Sequence, residues 1–359
     1  MKSTSSSAIR LVVFAAILVL IEILLIWFPG RPSSVPFSES FVKKEAAKTD
    51  SVTFLAFGDI NLGRWVGRKI LSGEINYPFE RLDIKKYRAD IVFANLESPI
   101  SDQKGETGDP KNNLVFTGPP HGTKTLQNAG ITLVSTANNH AMDYHKKALF
   151  ETIDRLTNDS IMFVGTGKGK ENIYEPLIIE KKNIKFAIFA VTSFMNFTPK
   201  GWKEVVAYAD TAQMLSKIDE VRKLVDVVIV SYHGGVEYTD HPIKKVKTFA
   251  QWCIQHGVDV FIGHHPHVTF GIESIGNKFI VHSLGNFVFY QPQKYWTQRS
   301  YGILFSFKKR NTVISIAIKK ILPLNVNFQT SILKDSAESQ KLYTRTQKLS
   351  NFDLSPVWE

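Results

Sequence analysis

Cysteine is almost missing from this 359-residue chain; Cys253 is the single one. An intrachain disulfide framework is therefore excluded, and so is any zinc finger or cluster built on several thiolates. Its helical surroundings make Cys253 a buried structural residue rather than a nucleophile. Acidic residues are also short: 33 Asp and Glu face 44 Lys and Arg, a net charge of +11. That balance favours an anionic partner, whether nucleic acid, anionic lipid or an acidic polymer, without choosing among them. No internal repeat is present, and the only low-complexity tract is the Ser-rich stretch 3–7. Disorder along the whole length is excluded by 43% apolar against 21% charged residues.

One long apolar run exists. Leu11 to Phe28 are 18 residues, apolar apart from Glu22. At about 1.5 Å per residue the run nearly crosses a bilayer core of about 30 Å. Trp27 and Phe28 suit a membrane interface, and no small-x-small cleavage pattern follows. The run reads as an uncleaved signal anchor (11–28) after a short tail (1–10). Residues 29–50, with PGRPSSVP and EAAKTD, read as a linker. Lys2 and Arg10 before the run against Arg31, Lys43 and Lys44 after it do not favour a cytoplasmic N-terminus. The soluble body is expected over 51–326, followed by a polar C-terminal tail, 327–359.

Within the body, short apolar runs alternate with longer amphipathic stretches. TFLAF (53–57), DIVFANL (90–96), ITLVSTA (131–137), FAIFAV (186–191), DVVIVSY (226–232) and DVFIG (259–263) read as buried strands. Residues 146–157, 210–224 and 242–256 carry helical spacing. Such alternation predicts an α/β fold. From Ile272 the pattern changes to strands with short turns, and Gly276-Asn277 marks a hairpin.

The polar residues gather where the apolar runs end. These ends hold Asp59 and Asn61; Asn95 and Glu97; Asn138, Asn139 and His140, with Asp143 beyond; His233 and Glu237; and His264, His265 and His267. In open α/β sheets, ligands bind outside the carboxyl ends of the strands. Five ends thus send carboxylates, amides and imidazoles to one rim, a donor set suited to Mn, Fe, Zn or Mg. His265 and His267 are two apart around Pro266, so an extended segment would turn both to one side. More than four donors point to a two-metal site. Taken singly, the members have ordinary explanations: Asp59 as a turn or cap residue, Asn138-Asn139 as loop, His233 as a satisfied histidine.

The ordered set GDINLGR (58–64), FANLESPI (93–100), STANNHAMDY (135–144), SYHGGVEY (231–238) and IGHHPHV (262–268) resembles the CapA family. These are capsule or poly-γ-glutamate synthesis proteins with a calcineurin-like metallophosphatase fold. The resemblance implies a four-layer α/β/β/α sandwich, here preceded by one transmembrane helix. It implies Asp59, Glu97, Asn139, His233, His265 and His267 as metal ligands, with Glu97 in the bridging place, and His140 as the catalytic residue. Asn61 stands where the general metallophosphatase pattern has histidine, and Glu97 stands where it has aspartate. Asn61, Arg64, Asn95, Asn138, Glu237 and His264 are expected toward substrate, and Asp143 behind His140.

The expected function follows: a membrane-anchored protein of capsule or poly-γ-glutamate synthesis or export, its body outside the cell, with a divalent-metal hydrolase site for one or two ions. Phosphoester and polymer-amide hydrolysis both remain open. The expected partners are an anionic polymer such as poly-γ-glutamate, the membrane and capsule synthase subunits. Nucleic acid is not expected, because no aromatic-interleaved basic groove pattern is present. A non-catalytic scaffold on the same fold, or a phosphodiesterase of another substrate class, are the alternatives. The clusters Lys181/Lys182/Lys185, Lys244/Lys245/Lys247, Lys308/Lys309/Arg310 and Lys319/Lys320 read equally well as polymer contacts or solvated faces.

Overall fold

Alternate residues of the first strand, β1 (Asp50–Ile60), enter two different apolar layers. Val52, Phe54 and Ala56 join one buried cluster; Leu55 and Phe57 join another. A strand apolar on both faces must be covered on both, which requires a layered α/β arrangement. The computed structural model describes residues 50–169 and 173–359. The tail, the anchor and all of the linker except Asp50 lie outside these residues. Among the described residues no helix is long and apolar enough to cross a membrane.

The first sheet runs β14-β13-β12-β1-β2-β3-β4, with β11 beside the end of β1. Its strands are β2 (Ile91–Leu96), β3 (Leu133–Ser135), β4 (Met162–Val164), β11 (Asn286–Val288), β12 (Arg299–Arg310), β13 (Val313–Asn325) and β14 (Ser331–Ile332). The β1–β4 half is parallel; the β12–β14 half is antiparallel. The second sheet runs β5-β6-β7-β8-β10-β9. It comprises β5 (Leu177–Lys181), β6 (Ile184–Thr192), β7 (Val227–His233), β8 (Val260–His264), β9 (Ile272–Ile275) and β10 (Lys278–Val281). β6, β7, β8 and β10 are parallel, and β9 and β10 form the hairpin expected at Gly276-Asn277.

The sheets face each other across Phe54, Phe93, Phe186, Ile229, Ile262, Phe305 and Phe307. Helices α1 (Arg64–Leu71) and α2 (Gly122–Ala129) place Val66, Ile70 and Leu126 on the outer face of the first sheet. Helices α4 (Thr211–Arg222) and α5 (Lys244–Gln255) place Met214, Ile218, Ala250 and Cys253 on the outer face of the second. The layers are therefore helix, sheet, sheet, helix. Helix α3 (His145–Asn158) closes an edge, with Leu149 between the sheets and Leu156 outside. Cys253 is fully buried, and burial pushes its thiol up, as befits a packing residue.

Residues 327–359 belong to the same body: β14 pairs with β13, helix α6 (Ser336–Lys348) follows, and Leu342 and Leu354 are buried. Asp335 caps α6 by accepting from Glu338 N–H at 3.0 Å. Helix α6 buries only Leu342 and Thr346, so its periodicity is faint in the sequence.

Candidate metal centre

Close backbone approach sets up the rim. At Gly58 a Cβ would lie 1.8 Å from the Gly285 carbonyl oxygen, so only glycine lets β11 reach the end of β1. There Asp59 pairs with Asn286, and Asp59 N–H donates to Gly285 O at 3.1 Å. Gly263 does the same on the second sheet, where a Cβ would meet His282 O at 2.1 Å. Both sheets thus present carboxyl-end side chains at one rim.

Asp59, Glu97, Asn139, His140, His233, His264, His265 and His267 are all buried there. Glu97 Oε1 lies 3.6 Å from His233 Nε2, 3.7 Å from His267 Nε2 and 3.9 Å from His140 Nε2. Neither oxygen of Glu97 has a hydrogen-bond partner, although the residue is fully buried. An unpaired buried carboxylate is costly, and its surroundings are nitrogen and oxygen donors spaced for a cation. Two donor groups share it: Glu97 with His233 and His265, and Glu97 with Asp59 and His267. Asn139 Oδ1 stands 2.6 Å from His233 Nε2, joining the first group. The donor set therefore fits divalent cations, with Glu97 common to both poles.

The protonation states follow from this crowding. Burial pushes Asp59 up, but His264 and His267 more than offset it and hold the carboxyl well below its usual range. His264 Nδ1 is 3.2 Å from Asp59 Oδ1, and His267 Nδ1 is 3.5 Å from Oδ2. Glu97 is driven well above its usual value by burial first, then by Asp59 and Glu237. His233 falls well below its usual value through burial and neighbouring His265; His265 is lowered to about 3 by burial and His267. Those two imidazoles are neutral at pH 7, the state a metal requires.

The rings are fixed from behind. Asn286 Oδ1 is 2.9 Å from His267 Nδ1, and Asn286 Nδ2 donates to Gln291 and to Thr297 O. His140 Nδ1 meets Asp143 Oδ2 at 2.8 Å, and Phe116 stacks on the ring at 4.1 Å. Burial raises Asp143, against the pull of His140. Asn196 Nδ2 reaches His140 Nε2 at 3.2 Å, and Asn196 Oδ1 accepts from Asn139 at 3.0 Å. Asn95 Nδ2 lies 2.9 Å from Asp59 Oδ1 and 3.1 Å from His233 Nδ1; Asn138 donates to Leu96 O and to Asn95 Oδ1.

Several expectations change. His265 and His267 do not sit in an extended segment: their φ values are +96° and +58°, left-handed backbone around Pro266. Strand β8 has already ended at His264, and the turn itself brings the rings to 5.7 Å. Such strain persists where surrounding contacts over-determine it. Asn95 and Asn138 do not face outward toward a substrate; their amides are spent inside the site. Asn61 Oδ1 accepts from Gly63 N–H at 2.7 Å. His264 packs behind Asp59. Glu237 sits on the exposed rim, 3.9 Å from His267 Nε2. Lys308 pairs with Ser51 where β1 begins, and the 181–185 lysines flank the turn before β6, so neither cluster lines the rim.

Asn196 was not foreseen. Its signal was present, because it follows β6, another parallel strand whose carboxyl end faces this rim. Asn286 reads in the sequence as structural, since a strand-like SLGNFVF gives no hint of an imidazole partner.

A buried two-pole cluster of carboxylates, amides and imidazoles, with a geometry compatible with divalent cations, sits at the carboxyl ends of the paired sheets of an α/β sandwich. A family profile described as "Bacterial capsule synthesis protein PGA_cap" matches residues 53–291. The chain belongs to this capsule-synthesis family, which includes CapA proteins. It is 29% identical over 312 residues to "PGA biosynthesis protein CapA" of Bacillus subtilis strain 168, covering 85% of this chain and 80% of that one. It is 26% identical over 320 residues to "Capsule biosynthesis protein CapA" of Bacillus anthracis, covering 87% and 75%. A solved structure of a putative 5′-nucleotidase from Staphylococcus aureus is similar with a TM-score of 0.46 at 10% identity, covering 82% of this chain and 58% of that one. A hypothetical protein from Thermus thermophilus gives a TM-score of 0.42 at 14% identity, covering 74% and 98%.

Proposed function

We propose that this chain is a membrane-anchored accessory of capsule or poly-γ-glutamate synthesis or export, with a metallophosphatase-like, divalent-metal-dependent hydrolase site facing the cell exterior. The carrying observation is Glu97: fully buried, both oxygens unpartnered, and shared by two donor groups. In this reading Asp59, Glu97 and His267 hold one ion; Glu97, Asn139, His233 and His265 hold the other. Bound ions supply Lewis-acid activation of water and of the scissile group.

The remaining work falls to the chain. Asp143 fixes His140 through Nδ1, Phe116 holds the ring from its face, and Nε2 lies 3.2 Å from Asn196 and 3.9 Å from Glu97. His140 Nε2 then carries the proton to the leaving atom. Asn286 and Asn196 hold His267 and Asn139 in position. The substrate is a phosphoester or an amide of the anionic polymer, which is also the intended partner together with synthase subunits. Anchoring rests on residues 11–28, read from their apolar composition alone.

Elemental analysis of the purified chain tests this reading. The parent retains close to two equivalents of Mn, Fe or Zn, and His265→Ala/His267→Ala loses them. A metal-free parent that takes up none of these ions from solution would leave the non-catalytic scaffold in its place.

A further inference from the structure

The 181–185 and 308–310 clusters lie away from the rim, whereas Arg64 and Arg68 stand on the helix that begins beside it. Arg64 and Arg68 are four residues apart on α1, just over one turn and about 6 Å along its axis. Neither has a carboxylate within ion-pair distance among the described residues. Arg64 is held in place at some cost. Its φ is +54°, its N–H donates to Thr107 O at 2.7 Å, and Thr107 Oγ1 returns a bond to Arg64 O at 2.9 Å. Its guanidinium bonds Asn113 O and lies 4.7 Å over the Phe116 ring, which stacks on His140. A continuous stack therefore joins Arg64 to the metal centre.

Beside these cations opens a cavity of about 190 Å³, lined by Asn61, Arg64, Trp65, Arg68, Tyr290 and Phe328 among others. Its inner wall is Phe289, whose ring is 4.8 Å from His267. Its outer wall is a run of rings: Tyr290 to Phe328 at 3.9 Å, and Phe328 to Trp65 at 5.6 Å. Trp65 remains 42% exposed, unusual for so large an apolar ring. Cations without acidic partners beside an exposed aromatic face complement a chain that alternates carboxylates with aliphatic segments. The neighbouring cavity on the other side of Arg64 and Arg68 carries Glu106 and Asp109, which disfavour an anion there.

We infer that the Arg64–Arg68–Trp65 cleft is a substrate subsite that leads a carboxylate-bearing polymer chain to the metal centre. The inference rests on the hydrolase reading above. Two carboxylates of the chain pair with Arg64 and Arg68, and the intervening methylenes pack on Trp65 and Phe328. A guanidinium meets a carboxylate in bidentate geometry, so arginine is the fitting cation.

The test is titration of the full-length chain, in detergent and EDTA, with γ-linked oligoglutamate, followed by calorimetry. Metal content is measured separately on the same preparations. Arg68→Glu is the principal variant, because Arg68 is exposed and its guanidinium lies 5.2 Å over the Trp65 ring. The expected result is about tenfold weaker binding for Arg68→Glu and for Trp65→Ala, with a shallower salt dependence in the arginine variant. Circular dichroism and melting confirm that both variants fold. Unchanged binding in both would overturn the subsite, as would equal binding of inorganic polyphosphate, which would make the cleft a general phosphate site. A parent that binds oligoglutamate but no metal would keep the cleft and overturn the hydrolase. A parent that binds metal but no oligoglutamate would do the reverse.

Discussion

The two sheets contribute different chemistry to the rim. The first supplies Asp59, Glu97 and Asn139, which are oxygen donors, together with His140. The second supplies His233, His264, His265 and His267, which are all imidazoles. Each half is unfavourable by itself. Buried carboxylates repel one another, as the raised Glu97 shows, and crowded imidazoles resist protonation, as the lowered His233 and His265 show. Only when the sheets pack face to face do the halves meet, with Glu97 within 4 Å of His233 and His267. The cluster is thus a property of the sandwich, so a cation held by both halves would be linked to folding.

Breaking the shared carboxylate should have the largest effect, with opposite signs in two states. Glu97→Gln removes the common donor, so metal content falls to background. The metal-free variant, however, is more stable than the metal-free parent at neutral pH. The sign follows from the raised carboxyl: folding favours its protonated form, so its stability contribution is greatest below the unfolded value. That contribution declines as pH rises through the folded one. Removing the ionisable group relieves that loss, and calorimetric melting in EDTA and with Mn²⁺ reads both signs.

Loosening the supports behind each half should come next. Asn286→Ala and Asn196→Ala leave every donor in place but free His267, or Asn139 and His140, from behind. About 10–100-fold weaker metal binding is expected, measured by competition with a chelator. A pH series sharpens the same contrast. Uptake of metal must displace the Glu97 proton, so affinity rises with pH across the range in which Glu97 ionises, with protons released in buffer-dependent calorimetry. His233 and His265 are already neutral there and add nothing to that slope.

The smallest effect lies at the opposite end of the strands. Asp90 accepts from Thr53 N–H at 2.9 Å and from Thr53 Oγ1 at 3.0 Å, and pairs with Lys182 at 2.7 Å. Burial opposes its ionisation, but these partners lower it overall. Its stabilisation is present above the unfolded carboxyl value and is lost as pH falls through the folded one. Asp90→Asn should cost about 1–2 kcal/mol at pH 7 and leave metal content unchanged.

The oxygen half and the imidazole half were not equally legible in the sequence. Asp59, Glu97 and Asn139 stand directly after or within apolar runs that became β1, β2 and the end of β3, so their placement followed from strand direction. His265 and His267 were visible as a cluster, but their left-handed backbone was not, because spacing of two around proline reads equally as extended chain. Asn61 and Asn95 illustrate a further limit: a polar residue at a strand end turns inward or outward according to which neighbour needs a hydrogen bond. Gly63 N–H took Asn61, while Asp59 and His233 took Asn95. The Asn286 contact needs β11 to cross beside β1, a long-range pairing that no local pattern carries. The 327–359 segment was hidden for the opposite reason, since it buries too few side chains to show a period.

Electron paramagnetic resonance of the Mn²⁺-loaded chain tests most directly whether the halves close around one shared carboxylate. The account predicts the spectrum of a spin-coupled Mn pair in the parent, replaced by uncoupled or absent signals in Glu97→Gln. An uncoupled single-ion spectrum in the parent at saturating Mn²⁺, unchanged by Glu97→Gln, would contradict it.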